Sequence, residues 1–277
     1  MVRFGGLALL LCLTAWSADT GAIDDAIQRM YDFNFPASQE ILSHYVAQHP
    51  DDPLPYAFRA SAYLFYELDR MSILESEFLT DDSRIAEKKK RLDPDPLIRD
   101  RFLKAVKDTE ARADAALKAN PNDKQALFAM SIAQGVSTDY MAFVEKRQIA
   151  SLSVAKRSNS YAQRLLKLDP KFYDAYLTCG ISEYMVGSLP FFVRWFVHFD
   201  NIEGDKKKGI ERLKLVAQEG RFFKPFSKIL LATIALREKR PRDARQYLQE
   251  LTAQYPENPL FRKELDKLTV KIGAAGN

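Results

Sequence analysis

Residues 225–256 read PFSKILLATIALREKRPRDARQYLQELTAQYP, and their apolar positions describe two short helices joined by a polar turn. Leu231, Ala232 and Ala235 form the first set, with the small Ala232 placed where two helices cross closely. Ala244, Leu248 and Leu251 form the second, recurring every three to four residues as the buried face of a helix must. Between them Lys239-Arg240-Pro241-Arg242-Asp243 makes the turn. Pro241 opens the second helix, where its missing N–H costs nothing. Pro256 closes the unit.

Small residue, small residue and proline at these offsets resemble the tetratricopeptide repeat, a helix pair of about 34 residues. Earlier units carry the same closing signal. His49-Pro50, Asn120-Pro121, Asp169-Pro170 and Tyr255-Pro256 each end a helical run, and their separations are 71, 49 and 86 residues. Those spacings predict units separated or interrupted by long insertions rather than tandem copies. Tyr56, Ala60 and Tyr63 take the large, small and aromatic positions after Pro50, and Tyr176 and Gly180 take the first two after Pro170. Leu127 and Ser131 are the weaker equivalents after Pro121.

Strand signals are scarce: period-two alternation is short, and no Asn-Gly or Asp-Gly hairpin turn occurs. Glycine is sparse, 11 in all, and prolines punctuate helix boundaries. The fold class predicted is all-α, a tetratricopeptide-like α-α superhelix with helical insertions. The helical stretches expected are 22–33, 36–48, 53–79, 82–92, 96–119, 122–137, 139–168, 171–187, 189–199, 205–220, 225–238, 241–254 and 258–272. Asp52, Asp123 and Asp205 are the expected helix N-caps. The basic run 88–91 leading to Pro94 and Pro96 is the expected loop. One continuous domain is expected over 18–277, since each repeat buries its face only against neighbours.

The N-terminus carries Arg3, then the apolar run Leu7 to Leu13, then small residues around Ala15-Trp16-Ser17. This predicts a secretory signal cleaved near Ser17 or Ala18, the apolar run being too short for a spanning helix. Cys12 follows Leu11, where a lipobox needs a small residue. No later apolar run reaches the length of a membrane span. The mature chain is therefore expected to be exported, in a bacterial periplasm, with no transmembrane segment.

Once the signal is removed Cys179 is the one cysteine, so no intramolecular disulfide can form. A chain of 277 residues with 47% hydrophobic content buries enough to fold without one. The net charge of +4, +3 without Arg3, is small and evenly spread, which argues against nucleic acid and against an anionic membrane surface.

The segment Ser188 to Phe199, SLPFFVRWFVHF, is the least typical of the chain. Phe191, Phe192, Trp195 and Phe196 crowd it, and Arg194 and His198 lie four apart, on one helix face. It reads either as an inserted helix buried between repeats or as an interaction helix that presents its rings to a partner. Gly204-Asp205 and Gly209-Ile210-x-x-Leu213 follow. Together with Leu189-Pro190 and the aromatic helix, this order over residues 170–260 is similar to the tetratricopeptide-39 and inclusion-body-clearance family. That resemblance implies binding without established catalytic chemistry, and it points toward apolar ligands.

In the repeat family the second, fifth, ninth and twelfth positions of each first helix line the concave groove. The resemblance places Leu54, Ala57, Ser61 and Leu64 there, with Gln125, Phe128, Ile132 and Gly135 from the next unit. Asp174, Leu177, Ile181 and Tyr184 follow, then Phe226, Ile229, Thr233 and Leu236. Such a groove is apolar and lacks the Lys, Asn and Arg set that clamps a peptide's terminal carboxylate. It takes an apolar peptide or lipid-like ligand, or the chain's own insertions fill it.

Nothing in the chain assembles an enzyme. His44, His49 and His198 have no metal-ligand spacing, and the serine-hydrolase, phosphate-loop and dinucleotide glycine patterns are missing. Cys179 beside Gly180 reads as a core residue at a helix crossing. The expectation is a non-enzymatic scaffold that binds a protein partner without cofactor or metal. A carrier of a hydrophobic small molecule or lipid is the alternative.

Overall fold

A computed structural model of the chain describes residues 15–76, 80, 92–189 and 204–275, with side-chain surroundings from Gly21 to Ala274. Eleven helices occur among the described residues, and no strand. They are α1 (Ala15–Tyr31), α2 (Phe35–Gln48), α3 (Pro53–Arg70), α4 (Pro96–Ala119), α5 (Lys124–Asp139) and α6 (Gln148–Leu168). Then come α7 (Tyr176–Ser188), α8 (Lys206–Glu219), α9 (Lys224–Arg237), α10 (Pro241–Gln254) and α11 (Pro259–Ala275). A π-helical turn, Tyr140–Val144, extends α5, and a short 3-10 turn, Tyr173–Ala175, precedes α7.

Short polar residues start these helices as the sequence predicts. Asp52 accepts from the N–H of Leu54, Asp123 from Ala126, and Asp205 from Lys207 and Lys208. Each bond satisfies an N–H that the first turn leaves without a partner. Asp95 does the same for α4, a cap the sequence reading missed. Pro241 stands in the first turn of α10.

Two helix ends differ from expectation. The helix expected over 53–79 stops at Arg70, where Ser72 turns left-handed at φ 54° and the Ile73 N–H reaches back to the Leu68 carbonyl. The single helix expected over 139–168 is broken by Lys146 at φ 58°. Helices stop this way because one left-handed residue lets the next N–H cap the last turn. Of the helices expected over 82–92 and 189–199, residues 82–91 and 190–199 lie outside the described residues, and so does the apolar run Leu7 to Leu13. The expected cleavage point near Ser17 falls within α1.

Consecutive helices pack on one another: α1 with α2, α3 with α4, α5 with α6, α7 with α8, α9 with α10, and α10 with α11. Helix α5 also packs against α3 and α4, and is buried from Ala126 through Gln134. The end of α1 meets the start of α11. Asn258, at the start of α11, donates to the Tyr31 carbonyl at the end of α1. The Tyr31 and Tyr255 rings lie 5.4 Å apart, and Arg221 pairs with Asp24 at 2.7 Å. One buried cluster runs from Ile23 to Phe261. No described helix is long and apolar enough to cross a membrane.

Candidate functional site

The centre of the fold is built from rings on the turn between α8 and α9. Phe222 lies 5.2 Å from Phe58 and 6.0 Å from Phe128, and Phe223 is 5.8 Å from Phe128. A single carboxylate holds this turn. Asp174 Oδ2 accepts the Arg221 N–H at 2.9 Å, and Oδ1 accepts those of Phe222 at 3.0 Å and Phe223 at 2.8 Å. Burial raises the Asp174 pKa even though these bonds pull the other way. Asp174, placed on the groove by the sequence, is thus engaged with backbone and has no free face for a partner.

Beside this aromatic plug lies a cavity of about 120 Å³, open to solvent on one side. Helix α5 supplies its floor through Phe128, Ser131, Ile132, Gly135, Val136 and Asp139. The spacing Ile132, Gly135, Val136, Asp139 puts these on one helix face. Helix α3 adds Ser61, Leu64 and Phe65, α7 adds Leu177, Thr178, Ile181 and Ser182, and Phe223 and Phe226 close the far side. Gly135 keeps the space clear: a methyl group there would stand 3.4 Å from Ser158 Oγ. Five of the six wall hydroxyls have a partner, Ser182 being the sixth. Ser61 bonds the Ala57 carbonyl, Ser158 the Ser131 carbonyl, Thr138 the Gln134 carbonyl, and Ser131 lies 3.2 Å from Thr178.

Among the described residues Asp139 is the one ionisable side chain on these walls. It is half-buried, and no described residue gives its carboxylate a hydrogen bond or an opposite charge. Burial alone raises its pKa from an ordinary 3.8 to about 7. The π-helical turn begins at the next residue, and such turns recur at functional positions.

Of the groove residues implied by the resemblance, Ser61, Leu64, Phe128, Ile132, Gly135, Leu177, Ile181 and Phe226 stand on the cavity wall. Ala57 is fully buried in the core, and Tyr184 is buried in a separate cluster with Leu213 and Leu231. Ile229 and Thr233, on α9, are half-buried and are not among the cavity residues. The twelve-residue groove pattern ends at Gly135, one turn short of Asp139. The acid itself reads in sequence as an ordinary solvated helix end. Phe191, Phe192, Arg194, Trp195, Phe196 and His198 lie outside the described residues.

Elsewhere the chemistry is quiet. Cys179 is buried and burial pushes its thiol up to about 11, too high for a thiolate at neutral pH. Among the described residues no three His, Cys, Asp or Glu side chains gather as metal ligands would. A hollow of about 360 Å³ at Pro256–Asp266 is open to water and is lined mostly by charged and polar side chains.

In comparisons with protein-family models, curated proteins and solved structures, nothing matches this chain.

Proposed function

We propose that this chain is a non-catalytic interaction scaffold of the tetratricopeptide kind, exported to the bacterial cell envelope, which holds an apolar segment of a partner polypeptide. The reading rests on the open apolar cavity that α3, α5, α7 and α9 build around Ile132 and Ile181. Its size favours a peptide side chain over a whole lipid. Pockets that enclose small molecules run to about 300–1,000 Å³, whereas a void of about 150 Å³ takes one benzene-sized group. The volume here, about 120 Å³, belongs with the second. The Phe222–Phe223 plug supports the same view, since it occupies the space a larger ligand would need.

The test is selection of a random peptide library on the purified chain, residues 18–277. The expected result is an enriched motif with one apolar anchor, whose binding falls at least tenfold in Ile181→Glu and stays in Ile149→Glu, at a site 88% exposed. Failure to enrich any motif, or a motif indifferent to Ile181→Glu, overturns the proposal.

A further inference from the structure

We infer that the partner segment inserts one basic side chain, lysine or arginine, whose apolar stem lies along Ile132 and Ile181 and whose cation pairs with Asp139. The inference rests on the peptide-binding reading above and specifies its chemistry.

Charge complementarity carries it. Among the described residues the cavity walls hold apolar groups, hydroxyls and one carboxylate, with no lysine, arginine or histidine. The hydroxyls of Ser61, Thr138 and Ser158 already bond backbone carbonyls, and those of Ser131 and Thr178 lie against each other, which leaves the neutral Ser182 on the walls with the acid. Asp139 therefore faces the cavity with its acceptor capacity unspent. A carboxylate left so against apolar walls is costly, and burial raises its pKa to about 7. An arriving cation removes that cost, and it does so only in the bound state, which makes the acid a determinant of selectivity. A neutral apolar anchor would cover Asp139 and worsen its desolvation. An acidic anchor or a chain-terminal carboxylate would add repulsion. Lysine and arginine alone among side chains combine a stem of three or four methylenes with a permanent charge.

The position of Asp139 fits the task. It stands one turn beyond Gly135, whose missing side chain leaves room for a stem to pass. The π-helical turn that follows widens the helix at that point.

The experiment compares library selections on the native chain and on Asp139→Asn, which keeps the shape and removes the charge. The native chain should enrich motifs with lysine or arginine at the anchor, and Asp139→Asn should lose that preference. Replacing the basic anchor of the native-selected peptide by norleucine should weaken binding at least tenfold on the native chain and less than twofold on Asp139→Asn. A second arm titrates n-hexylammonium and n-hexanol against the Ile132 and Ile181 methyl signals. Peptide binding with hexylammonium binding of millimolar strength or weaker supports a polypeptide source. Tight hexylammonium binding without any peptide motif overturns it in favour of a free amine. Motifs that depend on Ile181 but carry no basic anchor overturn this inference and leave the scaffold reading standing. Selection that never depends on Ile181 overturns both.

Discussion

The Asn258 side-chain amide donates to the Tyr31 backbone carbonyl at 2.7 Å, across 227 positions of the chain, with both residues buried. The same Asn258 accepts the N–H groups of Leu260 and Phe261 at 2.9 and 3.2 Å, so one side chain starts α11 and fastens it to α1. Asn258→Ala removes the cap and leaves a buried carbonyl without its donor. The expected loss is about 2–4 kcal/mol, read from urea unfolding. Asn258→Asp keeps the cap, lacks the donor, and should fall between. Native-like midpoints for both would remove the closure from the account of stability.

Asp174 serves three consecutive backbone N–H groups. Asp174→Ala strands them in a buried turn, at a cost of about 3 kcal/mol. Amide exchange at Arg221, Phe222 and Phe223 should quicken at least tenfold, while exchange in α4 stays as it was. Uniform acceleration along the chain would mean that the turn is not separately held.

Asp139 gives a pH dependence with a definite sign. Its carboxyl keeps the proton to about pH 7 when folded and releases it near 3.8 when unfolded. Stability from this group is full below pH 4 and is lost as pH rises through 7. Asp139→Asn should therefore match the native chain at pH 4 and exceed it at pH 8. The gain is about 1–3 kcal/mol, less than the full shift implies because groove water reaches the side chain. Equal thermal midpoints at pH 8 would show the carboxylate to be well solvated.

Gly209 faces Gly180 and Tyr184 where α7 and α8 cross. A methyl group on Gly209 would sit 2.6 Å from the Tyr184 nitrogen and 2.8 Å from the Gly180 carbonyl oxygen. Backbone cannot yield as a side-chain tip can, so Gly209→Ala should cost about 2–4 kcal/mol. Gly135→Ala is the control: its new methyl meets Ser158 Oγ at 3.4 Å, and helix propensity favours it by up to about 1 kcal/mol. A Gly209→Ala melt equal to that of the native chain would contradict the crossing.

Proline and aspartate made the helix starts legible. Asp52, Asp123 and Asp205 cap as their side-chain chemistry dictates, and Pro241 opens α10. The stops at Ser72 and Lys146 were not legible, because a serine and a lysine hold the left-handed turn that glycine normally marks. The groove positions implied by the repeat resemblance include Ser61, Leu64, Phe128, Ile132, Gly135, Leu177, Ile181 and Phe226, which share the cavity. The resemblance placed Ala57 and Tyr184 there as well, though both are taken into packed core instead. Asp139 was out of reach for another reason. Its character comes from what surrounds it, and an acid at the end of a helix looks the same in sequence whether water or phenylalanine lies opposite.

A row of stacked helix pairs ordinarily melts inward from a loose outer unit, because the last pair has a neighbour on one side only. The contacts of Tyr31 with Asn258 and Tyr255, and the Arg221–Asp24 pair, tie the first helix to turns that lie far along the chain. Opening α1 then breaks the bond from Asn258 that fastens the start of α11. Fraying of α1 is thereby coupled to the start of α11, and amides on both sides of that seam should quicken together when Asn258 is replaced by alanine.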